Sequence, residues 1–332
     1  MSGRYILVAL VALFGVASYP VVAQTYTVNA ISPITAYGEV AAAVSGTTVF
    51  AQTNTTVTVQ SGSGARIKGT VRRATVTIRC AGSGSPNTCS VAGNRARIRV
   101  GALSSTGRAG LIQEFTAING TGTITGTTTG SLLDFTMTGW TSTGNLTFLL
   151  DTKLPVAGDN TGGATGAQTS TFYVYVAKDP TVPTTGSTAA ATITIRRPLQ
   201  MVKVSDLSFG TLVRQPSGAS ASVIVNNSTG IRTQTGNVNL IALPSPAPSR
   251  AQYTITGQPS TTFAISYSPT GNIVMSNGAS TLSVTTSKTA TGNQTMPATG
   301  TLTLGVGGTI SVLSTTARGQ YSGNLTVTVT YN

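Results

Sequence analysis

Short runs in which apolar and polar residues alternate recur along most of this chain. In the first half they include residues 55–59 (TTVTV), 74–80 (ATVTIRC), 95–100 (RARIRV), 145–150 (NLTFLL) and 171–177 (TFYVYVA). In the second half they include 191–195, 222–226, 253–257, 262–267, 281–286, 301–306, 309–313 and the closing 324–330 (NLTVTVT). A period of two sends successive side chains to opposite faces of a strand, so each run predicts a half-buried β-strand. Gly, Ser, Pro and Asn clusters punctuate the runs as turns. Many short strands with turns between them predict an all-β sandwich or barrel architecture.

The runs fall into two groups. Residues 178–188 (KDPTVPTTGST) have two prolines, a glycine and no apolar periodicity, and read as a linker or long loop. An internal echo supports the division. Gly144-Asn145-Leu146-Thr147-Phe148 is followed by Leu154 and Val156, and Gly300-Thr301-Leu302-Thr303-Leu304 is followed at the same distance by Ile310 and Val312. Each half then closes on a strand, TFYVYVA after Gly166 and NLTVTVT after Gly319. The expected organisation is two related β-sandwich domains, 24–190 and 191–332.

Residues 1–23 read as a secretory signal peptide. Arg4 precedes an apolar run, 5–16, too short to span a bilayer, and Val21 and Ala23 precede a plausible cleavage before Gln24. The expected product is exported through the inner membrane, passes through the periplasm and ends at the cell surface or outside the cell.

Composition narrows the chemistry. Only 8% of residues are charged and Gly number 38, which suits strands and turns rather than helices. Hydrophobic content of 39% in regular alternation argues against a disordered chain. Histidine is absent, which removes the commonest general base and the commonest metal ligand together. Cys80 and Cys89, in an exported chain, are expected to form one disulfide across a hairpin. Seven acidic residues serve the whole chain, and Asp134 and Asp151, flanking Trp140, are the only acidic pair in one neighbourhood. A glycosidase would need both beside one sugar cleft; they read instead as lone turn residues, and Trp140 as a buried or rim side chain. No enzyme and no cofactor are expected. An outer-membrane barrel would need strands of about ten residues and aromatic girdles, whereas the runs are shorter and aromatics are 6%.

Charge changes the picture of the first half. The chain has a net charge of +13, and nine lysines and arginines lie between Arg66 and Arg108, with no acidic residue between Glu39 and Glu114. Arg95, Arg97 and Arg99 share one face of their run, Arg66 and Lys68 flank Ile67, and Arg79 lies opposite the Val76–Ile78–Cys80 face. If these strands are sheet neighbours they form a basic face suited to a polyanion such as lipopolysaccharide, an acidic surface glycan or extracellular DNA. A merely solvated face is the alternative.

At the C-terminus, Gly319, Tyr321, Gly323, Leu325, Val327, Val329 and Tyr331 all fall on one face of one strand. This ending resembles that of chaperone–usher pilus subunits, which close on an alternating strand with a penultimate aromatic and a glycine fourteenth from the end. The stretch ATITIRRPLQMVKVSDLSFGTL and the closing GQYSGNLTVTVTYN also resemble a family of exported bacterial proteins known as domain of unknown function 4402, similar to spore-coat-U type pilins of the archaic chaperone–usher class. The resemblance covers roughly residues 191–332 and reaches the first domain mainly through the echo.

It implies immunoglobulin-like sandwiches in tandem, the second lacking one strand. It also implies donor-strand complementation, with a periplasmic pilus chaperone, an outer-membrane usher and other fibre subunits as partners. Two segments are candidate donors: Tyr26, Val28 and Ala30 near the expected mature N-terminus, and Ala191, Ile193 and Ile195, which either complete the first domain or open the second. The expected function is a structural or adhesive fibre subunit. The rival is a free-standing secreted polyanion- or carbohydrate-binding protein.

Overall fold

The computed structural model describes residues 24–82, 88–90, 93–140, 144–213, 220–236 and 243–332. The expected signal peptide lies outside the described residues. Among those described, the chain is all-β apart from two single 3-10 turns, Thr88–Ser90 and Asp159–Thr161, and no helix is long and apolar enough to cross a membrane.

In chain order the first strands are β1 Thr25–Ile31, β2 Ala36–Ala41, β3 Thr47–Thr53, β4 Thr56–Ser61, β5 Ala65–Lys68, β6 Ala74–Ala81, β7 Ala96–Ser105 and β8 Glu114–Asn119. There follow β9 Thr123–Thr127, β10 Thr129–Gly130, β11 Leu132–Thr138, β12 Asn145–Ala157, β13 Gly166–Lys178 and β14 Gly186–Arg196. The remainder are β15 Gln200–Ser205, β16 Ser220–Val225, β17 Arg232–Gly236, β18 Ala251–Thr256, β19 Thr262–Ser268, β20 Ile273–Ser276, β21 Thr281–Lys288, β22 Gly292–Thr295, β23 Thr301–Leu313 and β24 Thr326–Tyr331.

The first sandwich has two sheets. One runs β1-β6-β12-β3-β4, with β8 on the other side of β12; the other runs β5-β2-β14-β13-β7-β11-β9. The chain enters on one sheet as β1 and crosses to the other as β2, which lies parallel to β14. This is an immunoglobulin-like order, in which the opening strand serves both sheets and the last two strands, β13 and β14, form an antiparallel hairpin. Inward residues of both sheets meet in one continuous core that includes Phe50, Phe115, Phe135, Phe148, Phe172 and Ile195.

The stretch read as a linker or long loop is the loop of the β13–β14 hairpin. One expectation changes here. The expected boundary at residue 190 falls inside β14, which stays in the first sandwich to Arg196. Proline and glycine mark a turn of any kind, and the alternation of β14 could not reveal which sheet it joins.

The second sandwich repeats the first until its last step. β23 has the length of β12, 13 residues, and its bounds fall where the sequence echo places them. β18 and β16 contact β23 in the register in which β6 and β3 contact β12, and β21 lies on the other side of β23 as β8 lies on the other side of β12: Asn145 faces Arg79 as Thr301 faces Thr256, and Ala157 faces Thr47 as Leu313 faces Ser220. On the opposite sheet β24 pairs with β19 as β13 pairs with β7. There the repeat stops among the described residues: this sheet is β22-β19-β24, with β24 at its edge.

Candidate functional site

The closing strand forms from alternating Thr and Val, β-branched residues that suit a pleated, half-buried surface. Val327 is buried, and Leu325, Val329 and Tyr331 are half-buried, while Thr326, Thr328 and Thr330 face solvent. Gly323 lies before β24, where an isolated bridge joins Ser322 to Ser276 of β20: a Cβ there would sit 2.7 Å from the Val274 carbonyl oxygen. Among the described residues, β24 has one strand neighbour, β19. Its other edge presents unpaired backbone groups, a template for another strand.

A cavity of about 930 Å³ opens before this strand, between the segment 207–213 and the segment 316–321 that leads into β24. Leu207, Phe209, Leu212, Ile310, Val312 and Tyr321 help to line it. In the first sandwich β14 occupies the corresponding position, between β2 and β13. The core reflects the difference. The second sandwich has two buried clusters, one around Phe263 and Leu304 and one around Val223 and Ile310, joined through the half-buried Leu207 and Leu325.

Tyr331 turns inward at the other end of β24. Its hydroxyl donates to the Arg197 carbonyl at 2.9 Å and accepts from the Gln258 amide at 2.8 Å. Burial pushes its pKa up, with the Gln258 hydrogen bond opposing. Arg197 belongs to the short connection between the sandwiches, and its Nε lies 3.7 Å from Asp159 of the first, which also pairs with buried Arg108 at 2.6 Å. The end of β24 is therefore tied to the domain junction.

Both candidate donor segments are seated in the first sandwich. β1 pairs with β6, and Tyr26, Val28 and Ile31 pack on the first core; Ala30 is exposed beside a bulge in that pairing. Ile193 and Ile195 are buried on β14 between β13 and β2. Cys80 and Cys89 are joined in a disulfide.

The basic residues do not form one face. Arg79 is on β6, in the sheet opposite β7, and three strands separate β5, which carries Arg66 and Lys68, from β7. Arg66 folds back on its own loop, donating to the Lys68 and Gly69 carbonyls at 2.9 and 2.7 Å. Arg97 is bidentate on Asp134 at 2.7 and 2.9 Å, and Arg99 lies 3.6 Å from the same carboxylate. Arg95, just before β7, is exposed. The sequence pattern assigned a face to each strand, but the long-range pairing that decides which strands adjoin was not in it. Asp151 is on the other sheet from Asp134 and is bound by Arg73 at 2.5 and 2.8 Å, so the two carboxylates do not share a cleft. Trp140 is buried, edge-on to Tyr26. Leu207 and Phe209, within the stretch SDLSFG, wall the cavity, a role that two apolar residues on one side of an otherwise polar stretch could have signalled.

The arrangement defines a class: tandem immunoglobulin-like sandwiches, in the second of which the last strand has one strand neighbour among the described residues. Residues 199–331 match the family model described as Domain of unknown function (DUF4402), in agreement with the resemblance seen in the C-terminal sequence; the match begins just beyond β14. No curated protein matches the chain. Among solved structures, the CsuC–CsuE chaperone–tip adhesion subunit pre-assembly complex from archaic chaperone–usher Csu pili of Acinetobacter baumannii is similar at 11% identity and a TM-score of 0.28, over 91% of this chain and 100% of that chain. A chaperone–tip adhesin complex from work on CFA/I fimbriae biogenesis is similar at 14% identity and a TM-score of 0.25, over 91% of this chain and 98% of that chain. The assignment of the fold rests on the strand order described above.

Proposed function

We propose that this protein is a subunit of a chaperone–usher type surface fibre that accepts a strand from another chain at the free edge of β24. One observation carries this reading: at the position that β14 fills beside β13, the second sandwich has a cavity walled in part by Leu207, Phe209 and Leu212, beside the segment that leads into β24, and an edge of β24 with no partner among the described residues. A strand laid there would gain backbone hydrogen bonds from the edge and burial from the cavity. Each large aliphatic side chain it inserted would contribute about 1.5–3 kcal/mol. Such head-to-tail association does not close on itself and yields fibres.

The seating of β1 and β14 supports a finer reading. Both candidate donor strands are engaged within the first sandwich, so the chain accepts a strand without offering one. A subunit of that kind stands at the end of a fibre and displays its first sandwich outward, as an adhesive tip. In transit, a periplasmic chaperone would cover the same edge before assembly at the usher.

The test is self-complementation. A short turn and a copy of residues 186–196 are appended after Asn332, so that the added strand can fold back antiparallel to β24. We expect the parent chain, produced in cells without partners, to be largely lost to aggregation or degradation, leaving a minor soluble fraction that can be refolded and studied at low concentration, and the extended chain to be recovered almost entirely as a soluble monomer. A parent that is already a soluble, cooperatively folding monomer, unchanged by the extension, would support the free-standing secreted binder instead.

A further inference from the structure

The first sandwich also shows what kind of strand the second would take, an inference that rests on the acceptor reading above. β14 runs antiparallel to β13, with Ala189 facing Phe172, Ala191 facing Ser170, Ile193 facing Gln168 and Ile195 facing Gly166. Ala191, Ile193 and Ile195 are buried and Ala189 is half-buried, so these four form the inward face. The echo carries Phe172, Ser170, Gln168 and Gly166 onto Leu325, Gly323, Tyr321 and Gly319. The register of the neighbouring strands is consistent with this: Lys178 faces Ala96 on β7 as Tyr331 faces Phe263 on β19.

The surroundings are graded along this line. Gly319 and Tyr321 lie at the cavity, where bulk is missing. Leu325 already spans the two halves of the core, which leaves room opposite it only for a small side chain. We infer that the second sandwich selects a partner strand of the pattern small–x–small–x–bulky–x–bulky, antiparallel to β24. Its two small residues oppose Leu325 and Gly323, and its two β-branched residues enter the cavity beside Tyr321 and Gly319. The order matters as much as the composition, because only one end of the groove is roomy.

Three labelled peptides test this on the full mature chain, refolded with each in turn. The first is GSTAAATITIR, residues 186–196 of the chain itself. The second has the same residues in reverse order, and the third carries Thr at the positions of Ile193 and Ile195. Affinity is read by fluorescence anisotropy, and the location by hydrogen exchange. The first peptide is expected to bind at least tenfold more tightly than either of the others and to slow exchange across residues 319–331. Equal affinity of the reversed or threonine peptide would overturn the pattern while leaving the acceptor reading in place. Protection confined to residues 166–178 would mean exchange with β14 and would also overturn it. No binding by any of the three, with the chain a stable monomer, would remove both the pattern and the acceptor reading.

Discussion

Replacing Tyr331 with Phe separates two roles for the penultimate residue. The ring packs on the core around Phe263, while the hydroxyl makes two hydrogen bonds, to the Arg197 carbonyl and from the Gln258 amide. A neutral hydrogen bond contributes about 0.5–1.5 kcal/mol net, so losing both costs about 1–3 kcal/mol. With a urea slope of about 2 kcal/mol/M, the unfolding midpoint of the second sandwich should fall by roughly 0.5–1.5 M. Gly257 provides an internal control. A Cβ on it would lie 2.9 Å from the same hydroxyl, so Gly257→Ala should displace the hydroxyl. The two changes together should then cost less than their sum, as expected for residues sharing one interaction. The measurement is urea unfolding followed by circular dichroism on the parent, both single variants and the double variant. A Tyr331→Phe midpoint equal to that of the parent would refute the reasoning. It would mean that the hydroxyl does not hold β24 to the domain junction and is reserved for a partner.

Other consequences are simpler to read. Reducing the Cys80–Cys89 disulfide, which closes a loop of sequence separation 9, should lower the stability of the first sandwich by about 2–3 kcal/mol; two-transition calorimetry with and without reductant should show the second transition unmoved. Asp151→Asn leaves the guanidinium of Arg73 without its carboxylate at a site only 10% exposed on the aspartate side, and should cost about 3 kcal/mol or more in the first transition. Burial pushes Tyr267 up to about 12 and raises Tyr331. Their stabilising effect is complete below the unfolded value near 10 and is lost as pH rises through the folded values. Urea midpoints of the second sandwich should therefore hold to about pH 10 and fall above it, and Tyr267→Phe should flatten that fall.

Strands with one wet face could be read from the sequence, because alternation is their direct consequence; β6, β7 and β24 were evident in this way. β3 was not, because Phe50, Ala51 and Gln52 are all buried and the period is lost. β23 read as two runs because Gly305, Val306, Gly307 and Gly308 interrupt the alternation where the strand lies deepest. A Cβ on Gly307 would sit 2.2 Å from the Val225 carbonyl oxygen, so glycine is required there by close strand approach, not by a turn. The alternation of Leu325, Val327, Val329 and Tyr331 was legible because it is local to β24, but the expected single strand is shorter than the sequence suggested: Gly319, Tyr321 and Gly323 lie in the segment before it, where glycines break the strand. The cavity walls were not legible, because Phe209, Leu212 and Ile310 come together only through long-range pairing.

Backbone hydrogen exchange of the isolated mature chain, resolved by segment, tests the open edge most directly. The account predicts that residues 326–331 exchange at least tenfold faster than residues 172–178, since β13 is paired on both sides and β24 on one. Equal, full protection of both segments in a monomer would contradict it, because a strand would then already lie where the partner strand is proposed to dock.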